Sequence, residues 1–242
     1  MSERTARDTE AQVREVLAWL ERRGTRKNRE GMARYGIVAP KVFGVSVSML
    51  QQLGKRLGRD HELAAALWET GWYEARMLAA FVDEPARVTS AQMDRWARDF
   101  DNWAVCDHLC FHLFDRTPLA WKKVPPWSRR REEFVKRAAF ALLAGLALHD
   151  KSATDASFLK ALPLIERGAG DERHLVKKGT SWALRVIGRR NRVLNTAATE
   201  LAARLAESEL PSARSVGKEA YRELTGAVVR RALAKRDRAA RG

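Results

Sequence analysis

Apolar residues recur along this chain every three or four positions, the spacing of one face of an α-helix. Between Asp8 and Arg22 they are Val13, Val16, Leu17 and Leu20, with Thr9 and Gln12 spaced as a capping box. The same period runs through 63–82, 91–114, 132–149, 156–167, 172–189, 196–207 and 213–231. No stretch alternates at period two for long enough to build a sheet, so the chain is expected to be all-α. Punctuation falls in three places. GTRKNREG at 24–31 reads as a basic, glycine-containing loop. Pro40 and Gly44 interrupt 32–58, where Ser46 or Ser48 can cap a helix that Gly58 ends. Residues 115–134 read as a connection, because Pro118 and the Pro125–Pro126 pair remove helix donors.

The helical segments also repeat. FVKRAAFALLAG, LVKKGTSWALRV and SVGKEAYRELTG align without gaps, placing Val135, Val176 and Val216 at intervals of 41 and 40. Leu143, Leu184 and Leu224 follow in the same register. A period near 40 with two helices per unit is the spacing of HEAT-like arrays, whose units stack because none covers its own apolar face. The expected fold is therefore a HEAT-like helical-repeat solenoid with one concave side. Residues 1–230 are read as a single repeat domain, and 231–242 as a basic C-terminal tail expected to fray or be disordered. Arg137, Lys178 and Lys218 each follow a register valine by two and are expected to form a stripe on the concave side.

Charge sharpens this picture. The chain has 242 residues, 45 Lys and Arg against 30 Asp and Glu, and a net charge of +15. Such a surplus points to a polyanionic partner, nucleic acid first. Seven basic residues against two acids lie in 121–137, and seven against none in 173–192, the latter including Arg185, Arg189 and Arg190. Duplex phosphates on a regular track suit such cations. No apolar run reaches a membrane span, and the charged start lacks the apolar core of a signal peptide. With only Cys106 and Cys110, a reducing cytosol fits, so a cytoplasmic protein that joins the nucleoid when bound to DNA is expected.

Two constellations could carry chemistry. Asp107 falls one helical turn after Trp103, so both project from one side. On a basic DNA-binding surface such a carboxylate is either neutralised by a neighbour or there for catalysis. Trp182 lies four after Lys178 and three before Arg185, a face where an indole could meet sugar, base or a cationic ring. Cys106, His108, Cys110 and His112 have the residue types of a zinc site, but on a helix the cysteines and histidines face nearly opposite ways. No metal and no cofactor is expected.

On MARY at 32–35, FGVSVSMLQQLGK at 43–55, NWAVCD at 102–107, VKRAA at 135–139 and KKGTSWALR at 177–185, the chain resembles the AlkD-type DNA alkylation repair glycosylases. The resemblance implies an enzyme that excises cationic N3- and N7-alkylated purines, such as 3-methyladenine and 7-methylguanine, from double-stranded DNA; no catalytic lysine stands out, so a monofunctional enzyme is expected, and a monomer. It implies that Asp107 is the catalytic carboxylate beside Trp103, that Trp182 contacts the sugar, that Arg137 grips the backbone and that Tyr35 is an aromatic of the same site. Family members are described as acting without full base flipping, which would admit bulkier adducts. Ala104 and Cys106 depart from the family pattern and bear on substrate range. Two other readings compete with this one: a non-catalytic DNA-binding or damage-sensing protein, and a protein–protein adaptor.

Overall fold

The structure is a computed structural model that describes residues 3–239, and every regular element among them is a helix. The chain divides into two compact units, Met1–Pro118 and Leu119–Gly242.

The first unit holds α1 (Glu3–Arg23), α2 (Arg26–Arg34), α3 (Val47–Leu57), α4 (His61–Glu69), α5 (Tyr73–Val82), α6 (Ser90–Arg98) and α7 (Trp103–His112), then a 3₁₀ turn at Phe114–Arg116. Its core centres on Trp68 of α4 stacked on Trp96 of α6, with ring centroids 4.3 Å apart and planes 8° from parallel. Ser46 and Gly58 do what the sequence suggests. The Ser46 hydroxyl accepts from Met49 N, and Gly58 ends α3 at a φ of +78°. Elsewhere the pattern misleads. α1 starts well before Thr9, so no cap forms there. Most of the expected loop at 24–31 belongs to α2, whose N-cap is Thr25, accepting from Asn28 N at 3.2 Å. None of its residues is buried, so it carries no apolar period to read. The stretches 63–82 and 91–114 are each two helices. Gly71, at a φ of +70°, turns the chain between α4 and α5. Asn102 caps α7 by accepting from Val105 N at 3.0 Å. The apolar period runs across both breaks because the helices on either side face the same interior.

The second unit holds α8 (Ala120–Trp127), α9 (Glu133–His149), α10 (Asp155–Ala169), α11 (His174–Gly188), α12 (Arg192–Ala206), α13 (Pro211–Leu224) and α14 (Ala227–Ala239). α11 packs between α9 and α13, while α10 lies against α11 and α12, and α12 against α13. Val135, Val176 and Val216 are all buried, as are Leu143, Leu184 and Leu224. The 41- and 40-residue register is therefore a packing repeat. At Gly217 a Cβ would come within 2.2 Å of Ala206 N, so α12 and α13 approach closely only because that side chain is absent. The expected connection at 115–134 contains α8 instead, with Pro125 and Pro126 inside it. Both lie beyond the first turn and remove the donors that would bond the Trp121 and Lys122 carbonyls, so the helix is held by its buried face. The Ser128 N–H resumes the ladder on the Val124 carbonyl at 3.1 Å, and Ala120, Val124 and Trp127 are buried. The segment 213–231 breaks after Leu224 into α13 and α14. From 231 the expected tail is helical through Ala239, held where the Arg236 guanidinium donates to the carbonyls of Arg189 and Arg190. Residues 240–242 lie outside the described residues.

Candidate nucleic-acid interface

In the first unit, three contacts fix the entry to α7. Trp68 Nε1 donates to Asp99 Oδ2 at 2.9 Å, Arg76 Nη1 donates to the Asp99 carbonyl at 3.2 Å, and the Arg76 guanidinium stacks over the Trp68 ring. The Asn102 cap then sets the helix register. Around α7, Ala104, Val105, Cys106, Leu109 and Cys110 are buried, while Trp103, Asp107 and Phe111 form a half-buried stripe at intervals of four. His108 lies beneath, with Nε2 2.9 Å from the Met77 carbonyl. Burial, reinforced by nearby His112, pushes its imidazole down to about 3, so it is neutral at ordinary pH and Nε2–H is the donor.

Tyr35 is brought to this stripe from 68 residues away. Trp103 Nε1 donates to the Tyr35 carbonyl at 3.0 Å, and the tyrosine side chain is 73% exposed. The segment that delivers it is anchored by a residue the sequence did not single out. Glu74, fully buried in the first turn of α5, accepts from the N–H groups of Phe43, Gly44 and Val45 at 3.0, 2.6 and 3.1 Å. The helix N-terminus also favours a negative charge there. Burial first, then the Glu74 charge, pushes the adjacent Tyr73 phenol up to about 12. The only cue to Glu74 in sequence was an acid among apolar residues at a helix start.

In the second unit, Lys178 of α11 and Arg214, Lys218 and Arg222 of α13 line an open polar groove of about 490 Å³. Trp182, one turn along α11 from Lys178, is half-buried. The stripe expected of Arg137, Lys178 and Lys218 is thus reduced to the two lysines. Arg137 is 6% exposed, donates to the Leu175 carbonyl at 2.5 Å and packs against Gly179. Arg190 serves the fold as well. Its guanidinium donates to the carbonyls of Ala147, Asp150 and Ala153 and covers the Phe158 ring.

The cations of 173–192 are also less bare than that segment suggests, because the acids come from the neighbouring helix. Glu223 of α13 pairs with Arg185 and Arg189, each at 2.6 Å. Glu219 lies 3.8 Å from Lys178 and accepts from the Ser181 hydroxyl at 2.7 Å. Burial opposes ionisation of Glu219, but the Ser181 bond and the charges of Arg185, Lys178 and Arg222 outweigh it and hold its carboxyl below the usual range. A count of charges along one segment cannot see a partner that the repeat brings across.

A sequence profile described as DNA alkylation repair enzyme matches residues 16–233. The chain belongs to that family. Among solved structures, one described as "a new family of proteins related to the HEAT-like repeat DNA glycosylases with affinity for branched DNA structures" is 20% identical, with a TM-score of 0.70 over 85% of this chain and 92% of that one. At that identity the likeness establishes the fold, a HEAT-like helical repeat. No curated protein matches the sequence. No described helix of this DNA alkylation repair protein is long and apolar enough to cross a membrane.

Proposed function

We propose that this chain is a monofunctional, monomeric DNA glycosylase that hydrolyses the N-glycosidic bond of cationic N3- and N7-alkylated purines in duplex DNA. The observation that carries the reading is the gathering of Trp103, Asp107 and Tyr35 on one accessible side of α7 in a member of the alkylation repair family. Alkylation leaves a positive charge on the purine, so the base is already a good leaving group and needs no general acid. The barrier that remains is the oxocarbenium-like sugar. A carboxylate at Asp107 stabilises that charge and orients the attacking water, while the indole of Trp103 packs against the deoxyribose. The Trp103–Tyr35 hydrogen bond fixes the indole plane. Lys178, Lys218 and, once released from Glu223, Arg185 and Arg189 hold backbone phosphates. Arg137 and Arg190 contribute by fixing the helices that present them. Because Asp107 stands on an accessible helix face, adducts larger than methyl groups fit the same chemistry.

Asp107→Asn keeps the shape and removes the charge. Single-turnover release of 7-methylguanine is expected to fall by roughly two to three orders of magnitude, with duplex binding retained. Unchanged release would remove Asp107 from the reaction. A second reading, a DNA-binding protein of this family without base excision, draws support from the branched-DNA affinity of the structurally similar protein. It requires wild-type protein to bind a four-way junction more tightly than duplex and to release no alkylated base.

A further inference from the structure

On the other side of α7 the first unit has a cavity of about 280 Å³, reached neither by Trp103 nor by Asp107. His112, which borders it, follows Trp103 by nine residues, half a turn around the helix at roughly 100° per residue. Lys55 of α3, Arg59 just beyond the end of that helix and Arg116 of the 3₁₀ turn bring three fixed positive charges to its walls. Gln51 and the His112 imidazole add polar groups, and the Phe81 ring forms an apolar side. No carboxylate is among the lining residues. Among the acids nearest in sequence, Asp60 caps α4 by accepting from Leu63 N at 2.8 Å. Asp83 is buried and accepts from His61, Gln92 Nε2 and Glu84 N, and Asp115 is buried. No ion pair of Lys55, Arg59 or Arg116 occurs among the described residues, whereas Lys178, Arg185 and Arg189 of the second unit all have one. Arg59 Nη1 is anchored on the Asp83 carbonyl, which holds the guanidinium in place without neutralising it. The wall between α3 and α5 is close-set, since a Cβ at Gly54 would stand 2.7 Å from Phe81 Cβ.

Three cations from three separate elements around a small cavity, with amide and imidazole donors and no counter-charge, define the ligand chemistry. We propose that this cavity binds a dianionic phosphate group, carried either on a 5′-phosphorylated DNA end or as free phosphate. A single carboxylate would leave most of the charge unmatched, and the volume lies just under the ~300–1,000 Å³ of ordinary small-molecule pockets, too small for a whole dinucleotide. A phosphate offers several oxygens to guanidinium forks and to the lysine point charge at once. The site is independent of Asp107 and of base excision.

The test uses the full chain, isotope-labelled and observed by NMR at low salt, titrated with inorganic phosphate and then with matched oligonucleotides ending in 5′-phosphate or 5′-hydroxyl. Saturable shifts at His112 and at the Arg59 and Arg116 side chains are expected with phosphate. They should weaken by at least about tenfold in a Lys55→Gln, Arg116→Gln double variant, the loss of two charge-assisted contacts. Both positions are exposed, and a matching circular dichroism spectrum confirms that the variant folds. A roughly tenfold preference for the 5′-phosphorylated strand, lost in the variant, identifies the DNA end as the source. Saturation by phosphate without that preference identifies the free anion. Absence of saturable shifts with phosphate and with either strand overturns the proposal, as does a double variant that binds as wild type does. Release of 7-methylguanine by the double variant is expected to be unchanged, so failure here and failure of the glycosylase reading are separable.

Discussion

A single buried carboxylate sets the geometry of the Trp103 side of the molecule. Glu74 accepts three backbone N–H groups from residues 43–45, and the strand of chain it holds ends in the carbonyl that receives the Trp103 indole. Glu74→Gln keeps the size but removes the charge and turns an amide NH₂ towards backbone donors. A loss of about 3 kcal/mol in urea unfolding is expected, from charge-assisted bonds broken in a buried setting. The proposed excision should fall along with it, although Glu74 is fully buried. If the variant unfolds as wild type does, the three bonds are not what orders 43–45. Asp107 and Glu74 illustrate what one-dimensional reading can reach. Asp107 was legible because its partner lies one helical turn away. Glu74 was not, because its partners lie about thirty residues upstream in chain that has no period at all.

At the level of helices, register was easier to read than boundaries. The 41- and 40-residue spacing of the valines and leucines translates directly into buried contacts along α9, α11 and α13, because equivalent helices meet equivalent neighbours. The breaks at Gly71, Asn102 and Gly226 were missed because burial continues across them, and α8 was missed because its prolines outweighed its apolar face in the reading. Two further outcomes belong at this scale. Gly217→Ala places a methyl group against the backbone of α12 and is expected to cost about 1–3 kcal/mol, seen as a lowered thermal midpoint. Asp171 joins Lys136 of α9, at 2.8 Å, to Arg173 at the start of α11. The Arg173 bonds, with Lys136, hold its carboxyl well below the usual carboxylate range. Both folded and unfolded states are ionised above about pH 4, so the contribution is complete there. As pH falls further, the unfolded chain takes up its proton first and the contribution shrinks until the folded carboxyl is protonated too. Wild type should therefore lose stability below about pH 4 more steeply than Asp171→Asn, as followed by urea midpoints across acid pH.

For the whole molecule, the count of 45 Lys and Arg overstates how many cations stand bare. Lys178, Arg185 and Arg189 are paired to Glu219 and Glu223, and Arg190 binds carbonyls of its own unit. Replacing Glu219 and Glu223 together by Gln should free those three cations. Duplex affinity is expected to rise, and the plot of log affinity against log salt to steepen by roughly 0.9 for each phosphate gained. An unchanged slope would place these cations off the DNA. A phosphate bound at any of those three cations would first have to displace a carboxylate.

The electrophiles that alkylate purines also alkylate thiols, and they do so through the thiolate. Cys106 and Cys110, the chain's two cysteines, are both buried, and burial with their mutual contact pushes the Cys110 thiol well above its ordinary value. They sit on the same helix as Asp107, one residue before it and three after, with both side chains in the interior. The helix that carries the proposed catalytic carboxylate thus keeps its sulfur buried, away from the reagents that would create the proposed substrate, and a glycosylase built this way would go on working in a cell under alkylation stress.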